Sequence, residues 1–308
     1  MVDFSLVVPV YNEEKIIIDF YQAVYKVMTG LKVNYEIIFA TGGNTDNTFE
    51  ILKKIAKGDS RVKIINLSHR FNHQVALTAG LDYSSGNAVI SLDGDLQHPP
   101  ELIHKMIEEY KKGYDIVYTV RQDSRGVNIF KKIGTRSFYF LLGVLTKINF
   151  DKNCADFRLL SRKAVDALKR FPERKRYIAG IVSLLGFKRS GITYKSCPRN
   201  KGKTKFSFIR MCSMAIDGIL SFSNIPIRII IFIGFIMSLL SFVSLVYIII
   251  WRCLHPQLIS GWASILVSIL FLSSIQILTL GILGEYIGRI YEESKQRPLY
   301  IIDELVGF

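Results

Sequence analysis

Apolar residues fall into short runs over the first 120 positions and into two long ones near the end of the chain. The short runs at 4–10, 35–40, 62–66, 88–92 and 115–119 are bounded by polar or turn-forming residues, as buried strands are. Between them, helical spacing occurs from 13–18 onward and over 47–56, 73–83 and 100–112, with Asn12 placed to cap the first helix. Strands alternating with helices predict an α/β domain built on a mainly parallel sheet, in which ligands bind beyond the carboxyl ends of the strands.

The long runs, 229–251 and 262–284, are each 23 residues without a charge. As helices they reach about 35 Å, enough for a hydrocarbon core of about 30 Å. A pair of buried core helices is the alternative, and the length of the uncharged runs disfavours it. Trp251 and Trp262 stand at the ends facing the short linker, as interfacial aromatics do. Arg228 precedes the first run, and Arg289, Lys295 and Arg297 follow the second, so the positive-inside rule puts both termini in the cytoplasm. Asp3, Glu13, Glu14 and Asp19 interrupt the first twenty residues, and no signal peptide is expected. The chain thus divides into a cytosolic α/β domain (1–205), a juxtamembrane segment (206–227), two transmembrane helices (228–289) and a cytosolic tail (290–308). Basic and apolar residues mix over 128–145 and 206–222, which read either as interfacial amphipathic helices or as helices packed on the sheet with a solvated basic face.

Charge sharpens this division. The net charge of +14 resolves into −3 over residues 1–120, +17 over 121–227 and zero over 228–308. A basic stretch just before the membrane suits an anionic leaflet or a lipid phosphate. Nucleic acid is the competing partner for such a stretch. The neighbouring spans and the lack of any RNA- or DNA-binding motif argue against it. Cys154, Cys197, Cys212 and Cys253 form no CxxC pair, which fits a reducing compartment and no zinc site.

The candidate chemistry is Asp93-Gly94-Asp95, two carboxylates just after the fourth expected strand, with Gln97 and Glu101 following and His98-Pro99-Pro100 stiffening the loop. Mg²⁺ takes oxygen ligands, commonly one or two carboxylates together with substrate phosphates. Such an ion neutralises a diphosphate and helps it depart. Alone, an Asp-x-Asp pair is more often a solvated turn; its place at a strand end gives it weight.

Several segments together carry a resemblance. They are Val8-Pro9-Val10-Tyr11-Asn12-Glu13-Glu14, Asp93-Gly94-Asp95-Leu96-Gln97-His98-Pro99-Pro100-Glu101, Ala155-Asp156-Phe157-Arg158-Leu159-Leu160-Ser161-Arg162, Glu173-Arg174-Lys175-Arg176-Tyr177, Gly202-Lys203-Thr204-Lys205-Phe206, Ser221-Phe222-Ser223 and Gly284-Glu285-Tyr286-Ile287-Gly288-Arg289. In this order they resemble the family-2 glycosyltransferases, most closely the polyisoprenyl-phosphate enzymes of the bactoprenol glucosyltransferase and dolichol-phosphate mannose synthase type. The resemblance covers nearly the whole chain. It implies a GT-A fold (Rossmann-like), a nucleotide-sugar donor, a polyprenyl-phosphate acceptor and a Mg²⁺ or Mn²⁺ cofactor. It implies Asp93, Asp95 and Gln97 at the metal, with Asp95 and Gln97 the direct ligands. Pro9, Tyr11, Glu13, Gly42, Gln74 and Asp93 become donor-binding positions. Arg121, Arg136, Arg199 and Lys205, with Lys203, become contacts for the acceptor phosphate, for which the planar arginine fork is well shaped. Arg174-Lys175-Arg176 would meet lipid headgroups or the donor diphosphate.

Asp156 joins Asp93 and Asp95 as a catalytic candidate. It has two readings: a base for an attacking hydroxyl, or an orienting partner for Arg158 or the sugar. A phosphate acceptor favours the second, being mostly dianionic at neutral pH already.

Two departures from the family pattern stand out. Thr41-Gly42-Gly43-Asn44-Thr45-Asp46 replaces an acidic loop, with Gly42 where an aspartate commonly meets the base, and Asp46 reads as a helix N-terminal acid. Ser68-His69-Arg70-Phe71-Asn72-His73-Gln74 shifts an arginine by one place and has Asn72 for a glycine, with His73 and Gln74 retained. The expected activity is inverting transfer of a sugar, UDP-glucose first, to undecaprenyl phosphate at the inner membrane. GDP-mannose or a UDP-amino sugar is the nearest alternative donor, and a homo-oligomer is left open. A polysaccharide synthase would need a Gln-x-x-Arg-Trp segment and more spans. A catalytically degenerate assembly subunit is the non-enzymatic alternative, raised by Gly42 and opposed by the intact Asp93, Asp95 and Gln97.

Overall fold

The structure is a computed structural model that describes residues 2–122, 154–174, 176–195, 225–254 and 261–308. Two units emerge: Met1–Ser207 together with Arg297–Phe308, and Phe208–Gln296.

The first unit is built on an eight-stranded sheet in the order β7-β5-β6-β4-β1-β2-β3-β8. Its centre is β1 (Phe4–Pro9), β2 (Tyr35–Gly42), β3 (Val62–Leu67) and β4 (Ala88–Ser91), all parallel where they pair. Helices α1 (Ile17–Gly30), α2 (Thr48–Gly58) and α3 (His73–Tyr83) connect them. Every residue of β1 and β2 is buried, as expected where helices cover both faces of a parallel sheet. Phe20, Phe39, Leu6, Ile37, Leu52 and Ile64 lie fully inside. Helix α3 comes so close to β1 that a Cβ on Gly80 would stand 2.2 Å from Val7 Cγ1. The chain runs outward from β1 to β3 and then returns to β4 on the other side of β1. The crevice between β1 and β4 is therefore a topological switch point, where ligands bind in open α/β sheets.

Beyond β4 the sheet is mixed rather than mainly parallel. After α4 (Leu102–Lys111), β5 (Ile116–Gln122) is followed in chain order by β6 (Cys154–Ser161), which inserts antiparallel between β4 and β5. Helices α5 (Arg162–Lys169) and α6 (Ile178–Leu184) lead to β7 (Arg189–Lys195), parallel to β5. The other edge is β8 (Ile302–Val306), antiparallel to β3. Residues 290–308 are thus not only a tail. Asn66 Nδ2 donates to Asp303 Oδ2 (3.0 Å), Tyr300 donates to Asp82 (2.9 Å) and Lys53 pairs with Glu304 (2.8 Å), fastening the last strand.

The second unit holds α7 (Ile225–Leu254) and α8 (Trp262–Ser294). Of the two expected spans, one stretch among the described residues, Phe271–Ser294 in α8, is long and apolar enough to cross a membrane; the apolar stretch in α7, Ile230–Ser244, is shorter. Ile277, Leu278 and Leu280 on α8 are exposed. The segments 128–145 and 206–222 lie outside the described residues.

Candidate active site

Four loops at the carboxyl ends of β1 to β4 converge on the switch point. Asn12 does not cap α1, whose N-cap is Ile16. It takes a left-handed backbone (φ 54°), a conformation asparagine tolerates better than most residues. Its amide clasps the neighbouring loop: Nδ2 donates to Thr45 Oγ1 (2.7 Å) and Oδ1 accepts from Thr45 N (2.9 Å). Asn44 returns the contact, accepting from Asn12 N (3.2 Å) and donating to Thr41 Oγ1 (2.7 Å). Glu13 N donates to Thr48 Oγ1 (2.8 Å). Asp46 accepts from the amides of Thr48 (3.0 Å) and Glu14 (3.2 Å). Its burial favours the neutral acid, but the Thr48 hydroxyl and then these amides outweigh it and lower the pKa, so Asp46 acts as a helix N-terminal acid.

Pro9 closes β1 opposite Ala40, and half-buried Tyr11 lies under the Arg70 guanidinium, 4.1 Å from the ring centroid. The displaced arginine of the 68–74 segment therefore covers a donor-site candidate. Gly42 ends β2 opposite Leu67. A Cβ there would meet the carbonyl oxygens of His69 (2.7 Å) and Leu67 (2.8 Å). Both are backbone atoms, so an aspartate at 42 requires the 67–69 chain to move.

The acids after β4 sit on a tight bend. Leu96 has φ 55°, an uncommon value for a non-glycine residue and one that gathers at functional sites. The bend folds Gln97 back, so that its side-chain amide donates to Asp95 Oδ2 and its backbone N to Asp95 Oδ1 (3.1 Å). A Cβ on Gly94 would lie 2.8 Å from Val10 Cγ1, so glycine lets this loop close on the end of β1. Among the described residues no group of three or more His, Cys, Asp or Glu side chains is arranged to hold a metal ion. The Asp95 carboxylate and the Gln97 amide oxygen are nevertheless hard donors carried on one bend, the kind Mg²⁺ or Mn²⁺ takes when substrate phosphates complete the shell.

Asp93 is held differently, with an imidazole against each oxygen. His73, the first residue of α3, directs Nε2 to Asp93 Oδ1 at 2.7 Å, and His98 Nε2 lies 3.5 Å from Oδ2. Burial pushes the Asp93 pKa up, but His73 and then His98 outweigh it and hold the carboxyl well below the usual range. Burial also disfavours the charged His73 ring; Asp93 and, less, Asp156 reverse this and raise its pKa. The asparagine of the altered loop has its own role, since Asn72 Oδ1 accepts from Val75 N (2.9 Å) and caps α3.

Asp156, on β6, receives Arg158 Nη2 on Oδ1 (2.8 Å) and Gln74 Nε2 on Oδ2 (3.2 Å), while His73 Nδ1 is 3.8 Å from Oδ2. Arg158 is nearly sealed (side chain 4% exposed), whereas Asp156 is 26% exposed. Gln74 also accepts from Ile178 N (3.1 Å) at the start of α6. The structure thus gathers Asp93, Asp95, Gln97, Gln74 and Asp156 with His73 and His98. Sequence reasoning named His98 only as part of a stiff loop and gave it no partner; its place beside two acids was the available signal.

The basic candidates fare unevenly. Arg121 lies on β5, in register with Tyr194 of β7. Arg136, Arg199, Lys203 and Lys205 lie outside the described residues. Arg176 turns back on its own chain, donating to the carbonyls of Phe171 (2.7 Å) and Glu173 (3.2 Å). These bonds hold Arg176 against its own turn.

Comparison with known proteins agrees with this geometry. Residues 5–169 match the model of Glycosyl transferase family 2. The bactoprenol glucosyl transferase of Shigella phage SfV is 39% identical over 298 residues, covering 97% of each chain. A prophage bactoprenol glucosyl transferase homolog of Escherichia coli (strain K12) is 38% identical with the same coverage. An uncharacterized glycosyltransferase of Bacillus subtilis (strain 168), YkcC, is 43% identical over 306 residues, 99% of this chain and 95% of that one. Among solved structures, glucosyl-3-phosphoglycerate synthase from Mycobacterium tuberculosis, crystallised with Mn²⁺, UDP and phosphoglyceric acid, superposes with a TM-score of 0.52 at 22% identity. It covers 71% of this chain and 76% of that one. That likeness bears on the fold, which is GT-A. With the switch-point acids and these relatives in place, the chain belongs to glycosyl transferase family 2 and is a glycosyltransferase.

Proposed function

We propose that this glycosyltransferase moves a hexose from a nucleotide sugar, UDP-glucose first, to a polyprenyl phosphate, undecaprenyl phosphate in a bacterial membrane, with inversion at the anomeric carbon. The observation that carries the reading is the switch-point cluster of Asp93, Asp95, Gln97 and Asp156 in a chain matched nearly end to end by bactoprenol glucosyl transferases. A lipid phosphate oxygen attacks the anomeric carbon, a new O–C bond forms, and the bond to the nucleoside diphosphate breaks with its electron pair leaving on the diphosphate. Asp95 and Gln97 would hold a Mg²⁺ or Mn²⁺ ion, which when bound supplies positive charge for that leaving group. Asp93 faces the donor, with His73 and His98 keeping it ionised. The acceptor brings its own negative charge, so Asp156 needs no proton to take; engaged by Arg158 and Gln74, it orients. Arg121, Arg136, Arg199 and Lys205 are assigned to the acceptor phosphate.

Chain topology supports a two-span anchor. Strand β8 belongs to the same sheet as β1 to β5, so the polypeptide leaves that sheet and comes back to it. If α8 crosses a bilayer, the return to the same side takes an even number of crossings, and α7 is the second. Both termini then lie on one side, which the distribution of Arg and Lys makes the cytoplasmic one. Donor choice turns on Gly42, which has no room for the acid that commonly meets the base, so GDP-mannose and UDP-amino sugars stay in the test.

The test is direct. Purified full-length protein with Mg²⁺, undecaprenyl phosphate and each of a panel of radiolabelled nucleotide sugars should give a lipid-soluble labelled product, most with UDP-glucose. No product from any donor, with the lipid shown intact, removes the assignment.

A further inference from the structure

His98 has a second partner that links the metal loop to the far side of the site. Its Nδ1 lies 2.7 Å from the Tyr194 hydroxyl on β7. The ring is wedged between Phe157, fully buried on β6, and Tyr194, with centroids 5.6 and 5.7 Å away. Its side chain is only 11% exposed, although it lies 3.5 Å from an acid that is 33% exposed. A histidine held this way has one arrangement that satisfies both neighbours. A carboxylate only accepts, so Nε2 carries the proton toward Asp93, and Nδ1 accepts from the tyrosine. The result is a chain from Tyr194 through His98 to Asp93 that joins β7, β6 and the loop after β4. Pro99 and Pro100 follow immediately, which limits how the backbone can relax if the ring lets go.

We propose that Tyr194 and His98 are positioning residues for glycosyl transfer, fixing Asp93 from strand β7 so that the donor nucleotide sugar meets a pre-set carboxylate. This rests on the function proposed above. The contact to Asp93 is long, 3.5 Å, and catalytic hydrogen bonds of that length commonly tighten when substrate arrives. Tyr194 also stands opposite Arg121 across β5 and β7, so the relay starts on the side where the acceptor candidates begin.

The test uses Tyr194→Phe, which keeps the packed ring and removes only the hydroxyl, His98→Gln, and the pair, all in full-length protein. UDP binding in Mn²⁺ is measured by calorimetry, and donor and lipid KM by steady-state transfer. Partners of this outer kind typically carry on the order of 10-fold in affinity or activity. Tyr194→Phe should therefore weaken UDP binding in Mn²⁺ and raise donor KM by about that factor, leaving lipid KM unchanged. The double variant should be no worse than His98→Gln alone, since both cut one chain. UDP affinity within twofold of the parent in Tyr194→Phe, or additive losses in the double variant, would overturn the proposal. A parent protein that binds UDP with Mn²⁺ yet transfers from no donor sinks the function instead, and the calorimetry still decides the relay.

Discussion

Two buried-edge carboxylates of the same sheet make an instructive pair. Glu36 lies near the amino end of β2 and is 2% exposed; Asp93 lies beyond the carboxyl end of β4 and is 33% exposed. Burial pushes both pKa values up, and in both the bonding partners win and bring them down. The shift alone does not tell them apart, although perturbed acids tend to gather at active sites. The partners do. Glu36 accepts from Ser5 Oγ (2.6 Å), Ser85 N (2.8 Å) and Ser85 Oγ (2.9 Å), and pairs with Lys63 (2.8 Å). Those groups come from β1, β3 and the turn before β4, and they enclose the acid. Asp93 is held by two rings at the mouth of a crevice, where a ligand can reach it. One acid staples strands together; the other is kept ready for something that arrives.

The contrast breaks most sharply at Asp95. Asp95→Ala should lower transfer by roughly a thousandfold or more, about 4 kcal/mol in the barrier, and leave the thermal midpoint in detergent within about 2 °C. Activity near that of the parent would remove the division between the two ends of the sheet.

Glu36→Gln should behave in the opposite way. It keeps Oε1 for the serine donors but sets an amide NH2 against Lys63 in place of the Oε2 counter-charge, so stability should fall by about 2–3 kcal/mol, while kcat of the folded protein stays unchanged. Denaturant unfolding followed by far-UV circular dichroism, with assays on folded protein, separates the two quantities. The same acid gives a pH signature. Its folded pKa lies below the ordinary 4.5, so its contribution is fully present above that value and is lost as pH falls toward the depressed one. The parent should lose stability more steeply than Glu36→Gln below about pH 4.5; parallel curves would show that Glu36 does not supply the acid limb.

The smallest expected effect lies between these extremes, at the clasp joining the loops after β1 and β2. Asn12→Gly keeps the left-handed backbone and deletes the amide. It should cost about 1 kcal/mol of stability and raise donor KM about threefold, with kcat little changed. A stability loss with no change in KM would move the clasp to the structural side of the comparison.

How much could be read in advance depended on how local the cause was. The first five strands and four helices came out close to the pattern of apolar residues, because each buries its own face. Strands β6 and β7 were not assigned, and nothing within Cys154–Ser161 announces that it will insert antiparallel between β4 and β5. An asparagine before an apolar helix is a good capping signal, but at Asn12 a long-range bond to Thr45 outweighs it. Asp93, Asp95, Gln97, Gln74 and Asp156 were found from motif and resemblance. Their holding groups, His73 and His98 among them, depend on distances that no spacing encodes. For Gly42 the sequence posed the question and the packing of His69 and Leu67 answered part of it.

The strand at the very end of the chain has a consequence for assembly. Asn66 and Asp303, joined across β3 and β8, are 237 positions apart, and Ser68 N donates to Ile301 O (2.9 Å) just where the 68–74 loop begins. Long separations are closed late and slowly during folding. The edge of β3 is thus covered only after synthesis has passed through both apolar helices, and a chain that stops earlier leaves an open strand edge prone to pair with other chains. The 68–74 loop at the rim of the crevice is thus braced by residues that are synthesised only after both apolar helices.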